Sequence, residues 1–393
     1  MQIIALFASL LASILIVAYG QEVNQTYVSE LFAGLKAHDY TSFARALQDA
    51  SNSTEGASLL SALSDSNDKL VRTVFVPTND AFALVPTYIL SNTTLLANVL
   101  SYHVLNASLS PIPIANDPTH SIARSLYNNG MLPGNHSQVV VYNLIGESKE
   151  ANQTLAFPYK YSASVNALPL KVANLMIYPI RAVLSLPQDI YDLARTMFPS
   201  FREAVDKSNL LYRIGEAKGV TIFAPNDDAM EASAYIEDRL NFSQIQTLLS
   251  NHVINGSVAY SPLLASSNYI SAAGEPFKFI TNATGSFVTS GNATAKIVTA
   301  DIPIENGVVH IIDRVLINPD SNTEAAESAV LSYAAQATAT SSGLNEGVIV
   351  ASPTAATSAK ASSAAVLPSP FSFGVFGSAV AIFAGILAGN AFL

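Results

Sequence analysis

Two short runs of β-branched and aromatic residues have the pattern of strands that are buried on both faces. They are Thr73–Val76 and Thr221–Ala224, and each is only four residues long. Such runs favour strands, because branched and aromatic side chains fit a pleated, enclosed surface. Pro77 and Pro225 follow directly and cannot donate to a strand ladder, so they end the strands. The sequence therefore predicts the same strand twice.

Other segments have the spacing of helices. Phe43 with Leu47, and Phe201 with Val205, are four positions apart, as on the buried side of a helix. We therefore predict an α+β fold class, because each half has helices early, a strand–helix unit in the middle and strands late. A domain of this kind needs roughly 130 to 160 residues, so the chain has room for two.

Polar residues mark where elements begin. Asn79–Asp80 and Asp227–Asp228 come just after the two buried runs, and their side-chain oxygens are expected to cap the following helices. Asn306–Gly307 predicts a tight turn. We expect a final strand from Val308 to Leu316, with alternating faces.

The chain repeats itself in three ordered blocks. Thr73–Phe82 recurs as Thr221–Met230, Leu100–Ser108 as Leu249–Ser257, and, more loosely, Asn174–Leu184 as Asn306–Leu316. The first two offsets are 148 and 149 residues, whereas the third is 132, so the first copy carries about 17 extra residues before its last block. Repeat units of this size are duplicated domains, because solenoid repeats are much shorter.

These blocks resemble the signature segments of fasciclin domains. The first and third blocks are similar to the two signature segments, and Leu-Ser-Tyr-His-Val-Leu is similar to the Tyr-His segment between them. The resemblance implies two tandem fasciclin domains, each a wedge-shaped β-sandwich with helices packed against it. We place the first domain at 24–186 and the second at 187–318. It also implies a role in adhesion, extracellular matrix or wall organisation.

The Tyr-His segment supplies weak candidates for binding, since this region is linked to integrin binding in animal members of the family. The candidates are Tyr102, His103, Asn251, His252 and His310. Neither copy keeps the whole pattern: Asn251 stands where tyrosine is expected, and Tyr178 and Arg181 stand where the second copy has His310 and Asp313. Core histidines that are hydrogen-bonded to the backbone are the interpretation we favour.

The two ends predict targeting and anchoring. Residues 1–20 have the pattern of a signal peptide, with an uncleaved N-terminal anchor as the alternative. An Ala-, Ser- and Thr-rich segment at 319–370 predicts an extended stalk, with a short helix possible around 324–335. The uncharged tail at 371–393 is typical of a glycosylphosphatidylinositol (GPI) anchor signal, with Ser362 as the expected attachment residue; a transmembrane helix is the alternative.

Ten Asn-x-Ser/Thr triplets lie between these ends, and each used site must be on the surface. They begin at Asn24, Asn52, Asn92, Asn106, Asn135, Asn152, Asn241, Asn255, Asn282 and Asn292. We expect most of them to carry N-glycans.

The composition argues against several kinds of chemistry. The chain has no cysteine, six histidines without zinc-helix spacing, and a net charge of −10 without a basic cluster. We therefore expect no metal site, no cofactor, no catalytic residues and no nucleic-acid partner. Asp227, Asp228 and Glu231 form an acidic group that a helix start explains better than catalysis.

The leading hypothesis is a non-catalytic glycoprotein, GPI-anchored to the plasma membrane or transferred to the cell wall. The scarcity of Ala-Pro and Ser-Pro repeats favours a fungal surface type over a plant arabinogalactan type. Its partners would be cell-surface or matrix proteins or wall polysaccharides, with homophilic contacts possible.

The alternative is a surface receptor with a carbohydrate or lipid ligand in a fasciclin-domain pocket. A buried apolar pocket would favour the receptor hypothesis, whereas a flat exposed apolar patch would favour the adhesion hypothesis.

Overall fold

A computed structural model describes residues 25–64, 71–109, 120–145, 154–157, 161–164, 169–341 and 349–350. The predicted signal peptide, the sequons at Asn24 and Asn152, Ser362 and the predicted anchor tail lie outside these residues. No helix in the described part of the chain is both long enough and apolar enough to span a bilayer.

The first half of the chain forms six helices and eight strands in the described ranges. The helices are α1 (Gln25–Ala37), α2 (Thr41–Ala50), α3 (Thr54–Leu63), α4 (Asn79–Ala83), α5 (Thr87–Ser91) and α6 (Thr93–Tyr102), and a 3₁₀ turn covers Pro133–Asn135. The strands are β1 (Arg72–Pro77), β2 (Val104–Leu105), β3 (Ser121–Arg124), β4 (Val139–Ile145), β5 (Thr154–Phe157), β6 (Tyr161–Ser164), β7 (Leu170–Val172) and β8 (Leu175–Ile180).

The second half repeats this order. Its helices are α7 (Ile190–Met197), α8 (Pro199–Lys207), α9 (Leu211–Glu216), α10 (Asp227–Ala232) and α11 (Phe242–Ser250), with 3₁₀ segments at Ala234–Arg239 and Ser261–Ser266. Its strands are β9 (Val220–Pro225), β10 (Val253–Asn255), β11 (Phe277–Asn282), β12 (Gly285–Ser290), β13 (Ala293–Ile304) and β14 (Gly307–Ile312). A last helix, α12 (Thr323–Ser341), and a short strand, β15 (Ile349–Val350), follow.

A parallel pair of strands lies inside a sheet of each half. The first half has one sheet in the order β2-β1-β8-β7 and another in the order β15-β3-β4-β5-β6, whereas the second half has one six-stranded sheet, β10-β9-β14-β13-β12-β11. Phe75 pairs with Tyr178, and Phe223 pairs with His310. The two pairs therefore have the same register, which confirms the third and loosest repeat.

The predicted core positions are buried. Phe43 and Leu47 of α2, and Phe201 and Val205 of α8, are all at most 2% exposed. Each pair belongs to the apolar core of its own half, where the helices cover one side of the sheet. The predicted buried faces of these helices are thus confirmed, in agreement with the predicted α+β class.

The expected helix caps lie one residue earlier than predicted. Thr78 accepts a hydrogen bond from the Ala81 amide, and Asn226 accepts one from the Ala229 amide. Asn79 and Asp227 instead accept hydrogen bonds from the start of an earlier helix of their own half, α2 and α8 respectively. The prediction was wrong because the extended backbone of an N-cap falls on the residue directly after the strand-ending proline.

The last predicted strand is shorter than expected and does not alternate. It begins at Gly307 and ends at Ile312, and all six residues are buried. It lies between β9 and β13 with side chains packed on both faces, so both sets of alternating side chains are enclosed.

Part of the segment predicted as an extended stalk is helical. Residues 323–341 form α12, a longer helix than the sequence indicated, and Tyr333 on this helix is 8% exposed. The Tyr333 ring contacts Tyr269, and its hydroxyl accepts a hydrogen bond from the Ile270 amide at 2.8 Å. The prediction failed because Ala-rich segments can form a helix when one aromatic side chain anchors them to a neighbouring core.

The C-terminal segment contacts both halves of the molecule. Strand β15 pairs with β3, with Ile349 opposite Ile122. Helix α12 passes over the 3₁₀ turn, where Gly134 has φ +65° and a Cβ atom built there would be 2.5 Å from the Ala337 carbonyl oxygen. Only glycine suits this close approach.

Candidate functional site

The two histidines of the Tyr-His segments are fully buried and make the same two hydrogen bonds. His103 Nδ1 donates to the Val99 carbonyl at 2.7 Å, and its Nε2 accepts the Leu184 amide at 2.9 Å. His252 Nδ1 donates to the Leu248 carbonyl at 2.9 Å, and its Nε2 accepts the Leu316 amide at 2.9 Å. Each ring therefore joins the end of a helix to the segment that follows the parallel strand pair.

Burial keeps both rings neutral. It lowers the pKa of His103 to about 4, although the hydrogen bond that the ring donates to the Val99 carbonyl opposes the shift. Burial lowers the pKa of His252 to about 4 as well, although its hydrogen bond to the Leu248 carbonyl opposes the shift. Because Nε2 accepts an N–H, a proton there would face another donor. The two histidines are structural in this arrangement.

The residues before these histidines connect to different neighbours. The Tyr102 hydroxyl donates to the Val139 carbonyl of β4 at 2.9 Å. The Asn251 amide donates to the carbonyls of Asn318 and Asp320, at 2.8 and 2.9 Å. Both side chains are buried, so none of the candidates in the Tyr-His segments presents its side chain to solvent.

His310, the remaining candidate, lies beside a buried carboxylate. Its Nε2 donates to the Ala259 carbonyl at 2.9 Å, and its Nδ1 accepts the Asp301 amide at 3.2 Å. The Phe223 ring stacks on it with 5.4 Å between ring centroids. Burial lowers the pKa of His310, although the nearby Asp301 carboxylate opposes the shift.

Asp301 joins the two halves of the molecule. It is fully buried, and its backbone has φ +61°, at an irregularity in β13. Its carboxylate accepts from His120 Nδ1, of the first half, at 2.8 Å, and from the Ser261 amide at 2.6 Å. The Ser261 hydroxyl also donates to it. Burial alone would raise the pKa of Asp301, but the hydrogen bonds from His120 and Ser261 and the nearby His310 hold it below its usual value.

An apolar and a polar contact lie beside this carboxylate. Ile122, Val139 and Val141 of the first half form a buried cluster with Tyr260 and Val308 of the second half. The carbonyl of Glu305 accepts two further hydrogen bonds across the same boundary. Its donors are the side-chain amides of Asn129, at 2.9 Å, and Gln138, at 2.5 Å. The halves therefore share a packed interface.

The arrangement of Ser261, Asp301 and the two histidines differs from that of a hydrolase. In a Ser-His-Asp triad the imidazole lies between the hydroxyl and the carboxylate. Here the carboxylate lies between the hydroxyl and His120, so no imidazole accepts the serine proton. No group of His, Asp or Glu side chains suited to a metal ion occurs among the residues that the structure describes. This cluster serves to join the two halves.

In each half, a side-chain oxygen at the start of the helix that follows the first parallel strand bonds to the start of an earlier helix. Asn79 Oδ1 accepts the Ser42 amide at the start of α2 at 2.9 Å, and Asp227 Oδ1 accepts the Ser200 amide at the start of α8 at 3.1 Å. The Asn306 side-chain amide bonds to the carbonyls of α9 and the residue after it, with donor–acceptor distances of 2.7 to 3.1 Å. Polar signature residues thus orient helices on the sheet.

The surface offers a polar cleft and several sequons. The cleft, between α8 and α10, has a volume of about 480 Å³ and is lined by Ser200, Glu203, Ala204, Lys207, Asp227, Met230, Glu231 and Ala234. Glu203 and Lys207 form an ion pair at its wall, at 2.7 Å. The eight sequon asparagines in the described ranges are exposed or half-buried, and none is buried.

Comparison with known proteins identifies the family. The sequence profile of the fasciclin domain matches residues 38–187 and 196–318, well over half of the chain. The chain therefore belongs to the fasciclin domain family, and the fold predicted from the resemblance is confirmed.

Relatives of this chain include fungal and animal proteins. A fasciclin-like arabinogalactan protein of Arthroderma benhamiae is 24% identical over 59% of this chain and 53% of its own length. The transforming growth factor-beta-induced protein ig-h3 of Sus scrofa is 26% identical over 63% of this chain and 35% of its own length. The chain thus spans about half, or less, of the length of these curated relatives. A solved FAS1 domain pair from the insect cell adhesion molecule fasciclin I aligns with 72% of this chain and 98% of its own, at 14% identity and a TM-score of 0.34.

Sequence reasoning missed the interface residues. Asp301, Ser261 and His120 are far apart in the chain and lie outside the repeated blocks, so no pattern links them. The one available signal is an acidic residue inside a long apolar strand, Ala293–Ile304, where an unpaired charge would be costly.

Proposed function

We propose that this chain is a non-catalytic cell-surface glycoprotein that mediates adhesion or organises the cell wall or matrix. The observation that carries the proposal is that the polar signature residues bond to the protein's own backbone. The side chains of His103, His252 and Asn306 all make hydrogen bonds to the backbone, so they are not available to a ligand. Two domains joined by a packed interface can act as a spacer, which suits a surface module better than an enzyme.

Adhesion can be tested by displaying the full chain on a non-adhesive yeast. Displaying cells should clump, or should bind to immobilised wall polysaccharide or matrix protein. The matched control displays the same C-terminal segment from residue 319 without the two domains. Equal adhesion by the two strains would contradict the proposal, since the domains would then contribute nothing.

Anchoring by GPI is the second part of the proposal, and it rests on the uncharged sequence of residues 371–393. A phosphatidylinositol-specific phospholipase should release the protein from membranes. Mass spectrometry of the mature C-terminus should find the tail removed and Ser362 modified. A mature protein that retains Leu393 would contradict this part, whatever the phospholipase does.

A carbohydrate receptor is the second candidate, and the cleft between α8 and α10 favours it. Its carboxylates and the Lys207 ammonium could bond to sugar hydroxyls, whereas a lipid would need an apolar lining. A glycan array probed with the soluble protein tests this idea. Glu231→Gln should then reduce binding, while Asp228→Asn, outside the lining, should not. Binding that is indifferent to Glu231→Gln would exclude the cleft.

A further inference from the structure

Exposed apolar side chains lie in the corresponding segment of both domains, although not at equivalent positions. In the first domain Leu84 is 83% and Tyr88 65% exposed, in the segment between α4 and α6. In the second domain Tyr235 is 55% and Phe242 54% exposed, in and after the segment between α10 and α11. The Arg239 guanidinium lies over the Tyr235 ring at 5.5 Å, whereas no such contact covers Tyr88 or Phe242 among the described residues. Exposed apolar groups that cluster in a short segment can mark a surface that another group covers.

An equivalent sequon asparagine adjoins each group. Asn92 is the N-cap of α6 and accepts the Leu95 amide at 3.0 Å; Asn241 is the N-cap of α11 and accepts the Gln244 amide at 3.0 Å. The offset of 149 residues equals that of the second repeat block. Tyr88 is one helical turn before Asn92, and Phe242 directly follows Asn241.

The capping geometry leaves the attachment atom available. In both asparagines the oxygen accepts the capping bond and the residue is exposed, while the Nδ2 atom makes no hydrogen bond to any residue that the structure describes. Asn52 differs, because its Nδ2 donates to the Asp49 carbonyl at 3.0 Å. A glycan on Nδ2 would therefore keep each cap and project outward from the helix start.

We propose that N-glycans on Asn92 and Asn241 cover the adjacent exposed apolar side chains, as built-in shields at equivalent positions of the two domains. The chemistry is glycosyl transfer from a polyprenyl-diphosphate-linked oligosaccharide. The Nδ2 atom loses a proton and forms a bond to C1 of the first sugar, while the C1–O bond breaks and the polyprenyl diphosphate leaves. The apolar faces of the sugar rings then lie over Tyr88 and Phe242.

This inference rests on the proposed secretory route, and one measurement separates the two. Glycopeptide mass spectrometry of the full chain from a eukaryotic secretory host should find Asn92 and Asn241 occupied. A chain without glycans at any sequon would contradict the proposed function itself. Glycans at Asn292 and elsewhere, with Asn92 and Asn241 bare, would overturn only this inference.

Two substitutions test the shielding without disturbing the caps. Thr94→Ala and Ser243→Ala each remove a sequon but leave the capping asparagine in place. Each should raise the fluorescence of a dye that binds apolar surface about twofold or more, and should increase retention on a hydrophobic column. Adding Tyr88→Ser to Thr94→Ala should reverse the effect.

The matched control is Thr294→Ala, which removes the sequon at Asn292. That asparagine lies in the β12–β13 turn, about 20 Å along the strand from Val298, the exposed apolar residue of β13. Dye binding should not change in this variant. Equal dye binding by Thr94→Ala, Ser243→Ala and Thr294→Ala would overturn the proposal, because loss of the Asn92 and Asn241 glycans would then expose no additional apolar surface.

Discussion

The first and second domains have the same arrangement at their centre but differ in how they connect to the rest of the molecule. In both, a parallel strand pair in the same register is joined to a helix end by a buried histidine. At the position directly before this histidine they diverge: Tyr102 bonds to β4 of its own domain, while Asn251 bonds to the segment that leads into α12.

The two domains also differ at the position of Tyr178 and His310, which follows the same trend. Tyr178 contacts Phe75 edge-on, with 6.2 Å between ring centroids, and has no histidine role. Its counterpart His310 stacks on Phe223 and bonds to the Asp301 backbone at the domain boundary. The shared histidine and strand pair build each domain, whereas Asn251 and His310 of the second copy contact the segment that leads into α12 and the domain boundary. The departures from the family pattern are therefore explained by domain-specific contacts.

The largest predicted effect concerns a residue without a counterpart in the first domain. Asp301→Asn keeps the size of the side chain and tolerates the left-handed backbone, but it removes the charge. It also replaces one carboxylate oxygen by an NH2 group, which then faces a donor, either the Ser261 amide or His120 Nδ1. We expect a loss of about 3–5 kcal/mol in the free energy of unfolding. Urea denaturation measures the loss, and hydrogen exchange should show lost protection on β3 as well as β13.

The control for this variant is Asp228→Asn, an exposed carboxylate that makes no hydrogen bond in the structure. It should leave the unfolding free energy within about 0.5 kcal/mol of the parent. If Asp301→Asn destabilises β13 but leaves the protection of β3 unchanged, Asp301 does not join the domains.

Acid should weaken both domains in the same pH range. The pKa values of His103 and His252 fall from 6.5 to about 4 on folding, so the unfolded chain binds more protons below pH 6.5. The stabilisation is full above that pH and is lost as the pH falls toward 4, by about 3 kcal/mol for each histidine. Asp301, with a lowered pKa, loses its contribution only at more acidic pH. Unfolding curves at pH 7 and pH 4.5 measure the difference, and equal stability at both would contradict the neutral-histidine arrangement.

Replacing either histidine should have an intermediate effect. His103→Ala and His252→Ala each leave a space and unpaired backbone groups, at a cost of about 1–3 kcal/mol. Calorimetry should show a lower melting temperature for the domain concerned, and the exposed His38→Ala serves as control. A His252→Ala variant that melts like the parent but loses adhesion would make this histidine a contact residue.

The smallest predicted effect tests the repeated helix contact. Asn79→Ala and Asp227→Ala each remove a side-chain acceptor from the start of a helix, α2 or α8, so each should cost about 1 kcal/mol. Thermal melting with Asp228→Ala as control checks this. A loss in one domain only would show that the two copies have diverged at this contact.

The sequence by itself determined the duplication, the fold class and the buried helix faces. Repetition of ordered blocks is visible without coordinates, and Phe43, Leu47, Phe201 and Val205 follow a simple period because local geometry sets it. The same local reasoning favoured core histidines over ligand contacts, which agrees with the bonds that His103 and His252 make. It misplaced the helix caps by one residue, because a cap depends on the backbone angle at a single position.

The tertiary structure alone decided which distant groups meet. Leu184 and Leu316 complete the histidine bonds from 81 and 64 residues away, and His120 reaches Asp301 from 181 residues away. The same holds for the length and packing of α12. The sequence indicated a short helix around 324–335 within a stalk, whereas the structure has a longer helix whose Tyr333 packs beside Tyr269. These contacts form only when the chain closes on itself, since their energy comes from burying groups that no local pattern connects.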